Sequence, residues 1–371
     1  MDKQSKVILI SGPTASGKSN FAVKIAKKIN GEIINADSMQ VYKQLKILSA
    51  RPSKKEQKSI KHHLYGFHSV EDNFSTGDWL KLALQKIKEI KEIKKIPILV
   101  GGTGLYFKAL TDGLVNIPNI PIQFKDTIRA MHKKIGQNNF YIKLIKIDPL
   151  SKDRVNPTDT QRSIRAYEVK KFTKKSLFEW FADTKPLLKQ KDFIKIYIEY
   201  PRSKLINRIN KRTEEMIKTN AIAEVKKFKK LNVNLTNSSN KLIGINEINR
   251  YLDNLTSLEK VIELISIRTR QYAKRQSTWS RGQMKDWKKI TPDNLKNFLL
   301  SFKLEQNWNI SNKSYLLIFL QSTMYEAPKI LILVFDKNSN FRSIFLVKKL
   351  NKVKNGAGNK EKPIYLSSFI W

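Results

Sequence analysis

Eight residues near the start of the chain, Gly12-Pro13-Thr14-Ala15-Ser16-Gly17-Lys18-Ser19, constrain its fold more than any other stretch. They follow the apolar run Val7-Ile8-Leu9-Ile10 and precede the helical pattern Phe21-Ala22-Val23-Lys24-Ile25-Ala26. Strand, G-x-x-x-x-G-K-S loop and helix, in that order, form the setting in which a P-loop is credible. Gly12 and Gly17 let the backbone curl so that successive N–H groups face one concavity. The following helix turns its positive end to the same point. Lys18 adds a full charge, and Ser19 adds a hydroxyl able to ligate magnesium. Such a loop holds a diphosphate or a triphosphate.

The next apolar segment, Glu32-Ile33-Ile34-Asn35-Ala36-Asp37, reads as a short strand ending in an acid. In open α/β sheets ligands bind beyond the carboxyl ends of the strands, which sets Asp37 beside the bound phosphates. A carboxylate there can accept a proton or hold a metal, and can equally serve as a helix cap or loop carboxylate. Ile96-Pro97-Ile98-Leu99-Val100-Gly101-Gly102-Thr103-Gly104-Leu105-Tyr106 reads as a buried strand, a Gly-rich turn and a helix. The turn lets backbone approach a ligand closely and places Thr103 toward the pocket of Lys18 and Asp37. His62-His63 suggests a metal pair. Adjacent helical residues do not face one another, however, and no carboxylate cluster is near, so packing or loop hydrogen bonding is expected.

Prolines between Asn116 and Pro121 mark a break, and residues 116–190 read as a largely helical insertion. Within it, Phe140 to Ile147 alternates like a strand while its surroundings leave a helix open. Asp159 to Val169 reads as a helix that gathers Gln161, Arg162 and Arg165 within one turn. That set can bind phosphates or bases, or form a solvated face. Asp192 to Tyr200 reads as a strand rejoining the sheet. In the helix after it, Arg208 and Arg212 share a face, which suits a phosphate clamp. Ile267 to Trp279 is a basic helix with Tyr272 and Trp279 among its cations, a surface suited to RNA.

The expected organisation is α/β: a P-loop NTPase-like parallel sheet flanked by helices, with a mainly helical insertion domain. Residues 1–115 and 191–305 form the core, 116–190 the insertion, and 306–371 an added tail of unknown role. The tail carries strand-like runs at Tyr315–Leu320 and Ile330–Phe335, then a Lys-, Asn- and Gly-rich stretch. With 71 Lys and Arg against 32 Asp and Glu, the formal charge is +39, which favours a polyanion, nucleic acid first. A Lys-, Ile- and Asn-rich bias accounts for part of that charge. The absence of Cys excludes disulfides and Cys-ligated zinc and suits a reducing cytoplasm. No signal-peptide pattern and no membrane-spanning run is expected.

Five stretches come in a telling order: Gly12–Ser19, Ala36–Tyr42, Val100–Tyr106, Asp159–Val169 and Thr269–Trp279. Together they resemble the tRNA dimethylallyltransferases, which prenylate a tRNA adenine. The first motif is shared with many kinases; the set of five is specific. The resemblance implies transfer of a dimethylallyl group from dimethylallyl diphosphate to the N6 amine of the adenine 3′-adjacent to the anticodon. It implies that Gly12, Pro13, Thr14, Ala15, Ser16, Gly17, Lys18 and Ser19 hold the diphosphate, with Arg212 contacting it and Ser19 on Mg2+. It assigns Asp37 as general base, with Thr103 and Lys18 at the reaction centre. The tRNA contacts fall on Asp37, Ser38, Met39 and Gln40, on Gln161, Arg162, Ser163, Ile164 and Arg165, and on Lys241, Leu242, Ile243, Gly244, Ile245 and Asn246. The implied partners are tRNA and dimethylallyl diphosphate, for a cytoplasmic monomer.

Two positions depart from the family pattern. Ile245 stands where an aromatic is usual, and Ser280 where a large apolar residue is usual. The alternative is a P-loop kinase of a nucleoside or small metabolite, in which Asp37 would deprotonate a hydroxyl. A non-catalytic RNA-binding protein is a further reading, and intact Lys18, Ser19 and Asp37 argue against it.

Overall fold

The run Val7–Ser11 is buried at every position, as a strand covered on both faces must be. It forms β1, the strand on which the rest is built. The computed structural model describes residues 6–299 and, beyond them, the backbone of three further strands. β1, β2 (Gly31–Asn35), β3 (His62–His63), β4 (Ile96–Gly101), β5 (Phe193–Ile198) and β6 (Lys288–Ile290) make one sheet, in the order β3-β2-β4-β1-β5-β6. Every pairing in it is parallel. This is the expected parallel sheet flanked by helices.

The helices come between the strands: α1 (Lys18–Ile29), α2 (Lys54–Gln57), α3 (Thr76–Glu92) and α4 (Gly104–Asp112). Val7 and Leu9 pack with Trp79 and Ile87 of α3 and Phe107 of α4 on one face. The alternating Ile8 and Ile10, also buried, fall on the other face of the pleat. Each such side chain contributes about 1.5–3 kcal/mol when fully buried.

His62 and His63 form the short edge strand β3, and both rings have nearby hydrogen-bond partners. His62 Nδ1 lies 2.8 Å from the Ile60 carbonyl, and His63 Nε2 lies 2.6 Å from Glu32 Oε2. Burial alone would raise the Glu32 carboxyl, but hydrogen bonds from Lys95 and His63 outweigh it and hold the group below its ordinary value.

The insertion consists of α5 (Ile122–Ile147), α6 (Thr160–Thr173) and α7 (Leu177–Ala182). Its own core includes Ile128, Phe140, Leu144, Ala166, Val169 and Leu177. The strand-like alternation at Phe140–Ile147 is helix: Phe140 and Leu144, one turn apart, are the buried pair. α5 kinks at Gly136 (φ 77°, ψ 167°).

After β5 come α8 (Arg202–Lys218), α9 (Ala221–Lys229), α10 (Ile245–Leu252) and α11 (Leu258–Gln283). The chain divides into two compact units, 1–298 and 299–371. In the second, β7 (Ser314–Leu320), β8 (Lys329–Phe335) and β9 (Phe341–Val347) form an antiparallel sheet in that order. The first two match the strand-like runs; β9 falls in the stretch noted only as Lys-, Asn- and Gly-rich. Residues from 348 onward lie outside the described residues. Among the described residues no helix is long and apolar enough to cross a membrane.

Candidate active site

Two backbone features shape the loop after β1. Gly17 sits at φ 86° and Ala15 at φ 64°. The left-handed region costs a residue with a Cβ roughly 1–2 kcal/mol, and such strain collects at ligand clamps. Ser16 N–H donates to Pro13 O at 3.2 Å, closing the turn. α8 then presses two guanidiniums onto its rim. Arg208 Nε donates to Ala15 O at 2.7 Å, and Arg212 Nη2 to Thr14 Oγ1 at 3.0 Å. Lys18 Nζ donates to Pro13 O at 3.3 Å. Ser16 Oγ and Arg212 Nε are buried with no hydrogen-bond partner. An anion in the cradle satisfies groups of this kind.

Asp37 lies two residues beyond β2, and the buried Asn35 holds it there. Asn35 Oδ1 accepts the Asp37 N–H at 2.9 Å, while its Nδ2 donates to Asp37 O at 2.9 Å and Leu64 O at 3.0 Å. Asp37 Oδ1 accepts the Met39 N–H at 3.0 Å. Among the described residues its Oδ2 makes no hydrogen bond, while the charges of Lys18 and Arg212 attract the carboxylate. At Gly101 a Cβ would lie 1.8 Å from Ala36 O, so only glycine lets β4 pass this close. That approach sets Thr103 beside Asp37. Thr103 N–H donates to Ala36 O at 3.2 Å, and Thr103 Oγ1 accepts the Ser38 N–H at 3.0 Å.

A cleft of about 510 Å³ brings Thr14, Ala15, Gly17, Lys18 and Ser19 together with Asp37, Gln40, Arg208 and Arg212. A second cavity of about 300 Å³ shares Thr14, Asp37 and Arg212 with it and adds Ser38, Met39, Lys241, Leu242, Ile243, Tyr272 and Arg275. A third, of about 250 Å³, contains Gly12, Thr103 and Trp279. Asp37 therefore stands where the P-loop cleft meets a pocket walled by α11 and the turn before α10.

Other expected residues lie elsewhere. Gln161, Arg162, Ser163, Ile164 and Arg165 sit on α6 and line none of these cavities. Arg162 pairs with Asp159, and Arg165 Nη1 is 3.6 Å from Glu168 Oε2. Two of the expected positions have buried side chains. Ser163 is fully buried, its hydroxyl accepting from Gln137 Nε2 at 3.1 Å. Ile245 is buried in the core with Val41, Tyr42 and Leu45. Gly244 (φ 109°) packs on Leu48, and Asn246 is exposed. The departure at Ser280 is a buried helical position, its Oγ donating to Ser277 O at 2.9 Å.

Sequence reasoning missed Asn35 and Glu224. The Glu224 carboxylate accepts the N–H groups of Lys46 and Ile47 at 2.8 Å and of Leu48 at 3.0 Å. It thereby fixes the loop whose Ser49 and Ala50 line the cleft. Gln40 Nε2 donates to Ser49 O at 3.0 Å and braces the same loop.

The cations and Asp37 define the electrostatics. Burial lowers the Lys18 ammonium to about 8; attraction to Asp37 opposes this, and the charge of Arg212 adds to it. Burial also lowers the Arg212 guanidinium, again against Asp37, yet an Arg stays charged in proteins. An anionic ligand needs the ammonium, which is lost as pH rises. The kcat/KM for a diphosphate donor reports the free enzyme and is expected to fall as pH rises through about 8. A profile level to about pH 10 would contradict that.

A parallel sheet carrying a P-loop, with a carboxylate just beyond the next strand and two arginines hydrogen-bonded to the loop, is the architecture of a P-loop enzyme. A sequence model of the IPP transferase family matches residues 40–283. A tRNA dimethylallyltransferase of Pelagibacter ubique is 59% identical over 303 residues, 82% of this chain and 97% of that protein. One from Rickettsia massiliae is 44% identical over 290 residues, 78% of this chain and 79% of its own. The structure of a full-length tRNA isopentenylpyrophosphate transferase from Bacillus halodurans superposes with a TM-score of 0.59 at 31% identity, covering 82% of this chain and 99% of that one. A eukaryotic dimethylallyltransferase acting on tRNA gives 0.68 at 29% identity, covering 77% and 73%. The chain belongs to the IPP transferase family.

Proposed function

We propose that the protein transfers the dimethylallyl group of dimethylallyl diphosphate to the N6 amine of the adenine 3′-adjacent to the anticodon in tRNA, releasing diphosphate. The observation that carries this reading is the place of Asp37, between the phosphate cradle and the cavity bearing Lys241 to Ile243. In the reaction the bond from the first prenyl carbon to the diphosphate oxygen breaks as the adenine amine attacks that carbon. Lys18, Arg212 and the loop N–H groups stabilise the charge growing on the departing diphosphate. Asp37 accepts the amine proton through its Oδ2. Thr103 fixes the backbone at Ser38, next to the base.

Magnesium would supply further neutralisation of the diphosphate. Mg2+ is usually held by one or two carboxylates plus phosphate oxygens. The Ser19 hydroxyl lines the cleft and would hold the ion together with the donor's phosphate oxygens; a share for Asp37 is the rival role that the magnesium dependence of Asp37→Asn tests. Among the described residues there is no cluster of three or more ligating side chains to hold an ion without the donor.

The stacked adenine must be extruded to reach Asp37, at a cost of a few kcal/mol. Contacts of the basic surface with RNA phosphates offset it, and the enzyme is read as a cytoplasmic monomer that docks tRNA electrostatically. Affinity for tRNA is expected to fall steeply with salt, because each neutralised phosphate releases counterions. Titrations at several salt concentrations check this, and a flat dependence would remove electrostatic docking from the account. The kinase alternative is not favoured, because the similar proteins are named for prenyl transfer to tRNA. Measuring diphosphate release with tRNA present tests the reading: dimethylallyl diphosphate supports it, and consumption of ATP alone opposes it.

A further inference from the structure

We infer that Gln276 is a positioning residue that locks the diphosphate cradle to the Thr103 turn and so aligns donor with acceptor. The inference rests on the transferase reading above. Gln276 lies on α11, far in sequence from both loops. Its Oε1 accepts the Thr14 N–H at 2.8 Å, and its Nε2 donates to Gly102 O at 2.9 Å. Thr14 in turn holds Arg212 through Oγ1 at 3.0 Å. Thr103, the residue after Gly102, accepts the Ser38 N–H at 3.0 Å, one residue from Asp37. One side-chain amide thus connects the leaving-group clamp to the segment that carries the base.

The two bonds demand opposite polarity: an acceptor toward Thr14 and a donor toward Gly102. An amide meets both. An ionised carboxylate offers only acceptors, so it would confront Gly102 O and place a negative charge beside the cradle. A protonated carboxyl restores both bonds, with its C=O toward Thr14 and its O–H toward Gly102. The titratable groups around this point are Tyr197 of β5, Tyr272 and Arg275 of α11, Arg212 of α8, and Asp37 after β2. Tyr272 also shares a side-chain hydrogen bond with Gln276, and burial pushes its phenol far above the range tested, so it stays neutral there; the uncharged Gln276→Met controls for the titration of the others.

The test compares Gln276→Glu and Gln276→Met with wild type, using dimethylallyl diphosphate and unmodified tRNA from about pH 5 to pH 8. Gln276→Met keeps the packing and loses both bonds. Its kcat should drop about 10-fold or more, with KM for tRNA near wild type and a ratio to wild type that does not change with pH. Gln276→Glu should be weaker still at high pH, and its ratio to wild type should rise as pH falls. A kcat for Gln276→Met within about twofold of wild type, or a pH-independent ratio for Gln276→Glu, would overturn the proposal. Affinity for inorganic diphosphate reads the cradle without any transfer, and Gln276→Met should bind it about 10-fold more weakly. Unchanged diphosphate affinity also overturns the proposal. Loss of that affinity beside a wild type that transfers no dimethylallyl group would keep Gln276 in its role and retire the transferase reading instead.

Discussion

Lys18→Ala is expected to lower turnover by about 10³-fold or more while the protein stays folded. The ammonium sits where charge grows on the leaving diphosphate, and removing one such donor from a dry site commonly costs about 10²–10³-fold. Lys18 carries a whole charge, which places it at or beyond the upper end. The fold should tolerate the change. Nζ makes one long hydrogen bond, to Pro13 O at 3.3 Å, and burial opposes its charge. The melting temperature should therefore hold or rise. Donor affinity and single-turnover rate, measured with a thermal melt, check both halves. Activity near wild type would show that the leaving group is not cradled by this loop.

Asp37→Asn is expected to slow the chemical step by about 10²-fold or more, the scale of a general base, with tRNA binding little changed. The asparagine keeps the shape and can still accept the Met39 N–H through Oδ1. It cannot take a proton. A different outcome follows should Asp37 mainly hold magnesium. Donor affinity would then fall, and high magnesium would restore part of the rate. Single-turnover rates across magnesium concentrations separate the two roles. A normal chemical step in this variant would exclude Asp37 as the base.

Much of this site was legible because its parts are local. The P-loop is eight consecutive residues between a strand and a helix, and the strand-end rule located Asp37 without any long-range information. What organises Asp37 is not local. Asn35 reads as one more residue of β2, and its function depends on a bond to Leu64 O. Glu224 stands in a helical, Lys-rich stretch with no local motif to mark it, yet it clamps backbone 178 residues away at Lys46.

Contiguous motifs do not show which of their side chains are buried. Gln161 to Arg165 was taken as one contact segment, although a helix turns its residues to different sides. Ser163 shares a face with Ala166 and Tyr167, three and four positions on, and all three are buried. Ile245 follows the same logic as the first residue of α10, directed into the core. At Phe140–Ile147 a short apolar alternation satisfied both periods, and only packing against α6 decides it. β9 was hidden by the Lys- and Asn-rich residues that surround it, although Phe341 to Val347 contains the β-formers Ile344, Phe345 and Val347.

The central claim is prenyl transfer to a tRNA adenine. Its most direct test is mass analysis of nucleosides from unmodified tRNA incubated with the protein, dimethylallyl diphosphate and magnesium. The account predicts an adenosine heavier by one dimethylallyl group in place of a hydrogen, mapped to the position 3′ of the anticodon and missing when the Asp37→Asn protein is used for the same short time. Unchanged nucleosides in the presence of wild-type protein, or a modified base at a different position, would contradict it.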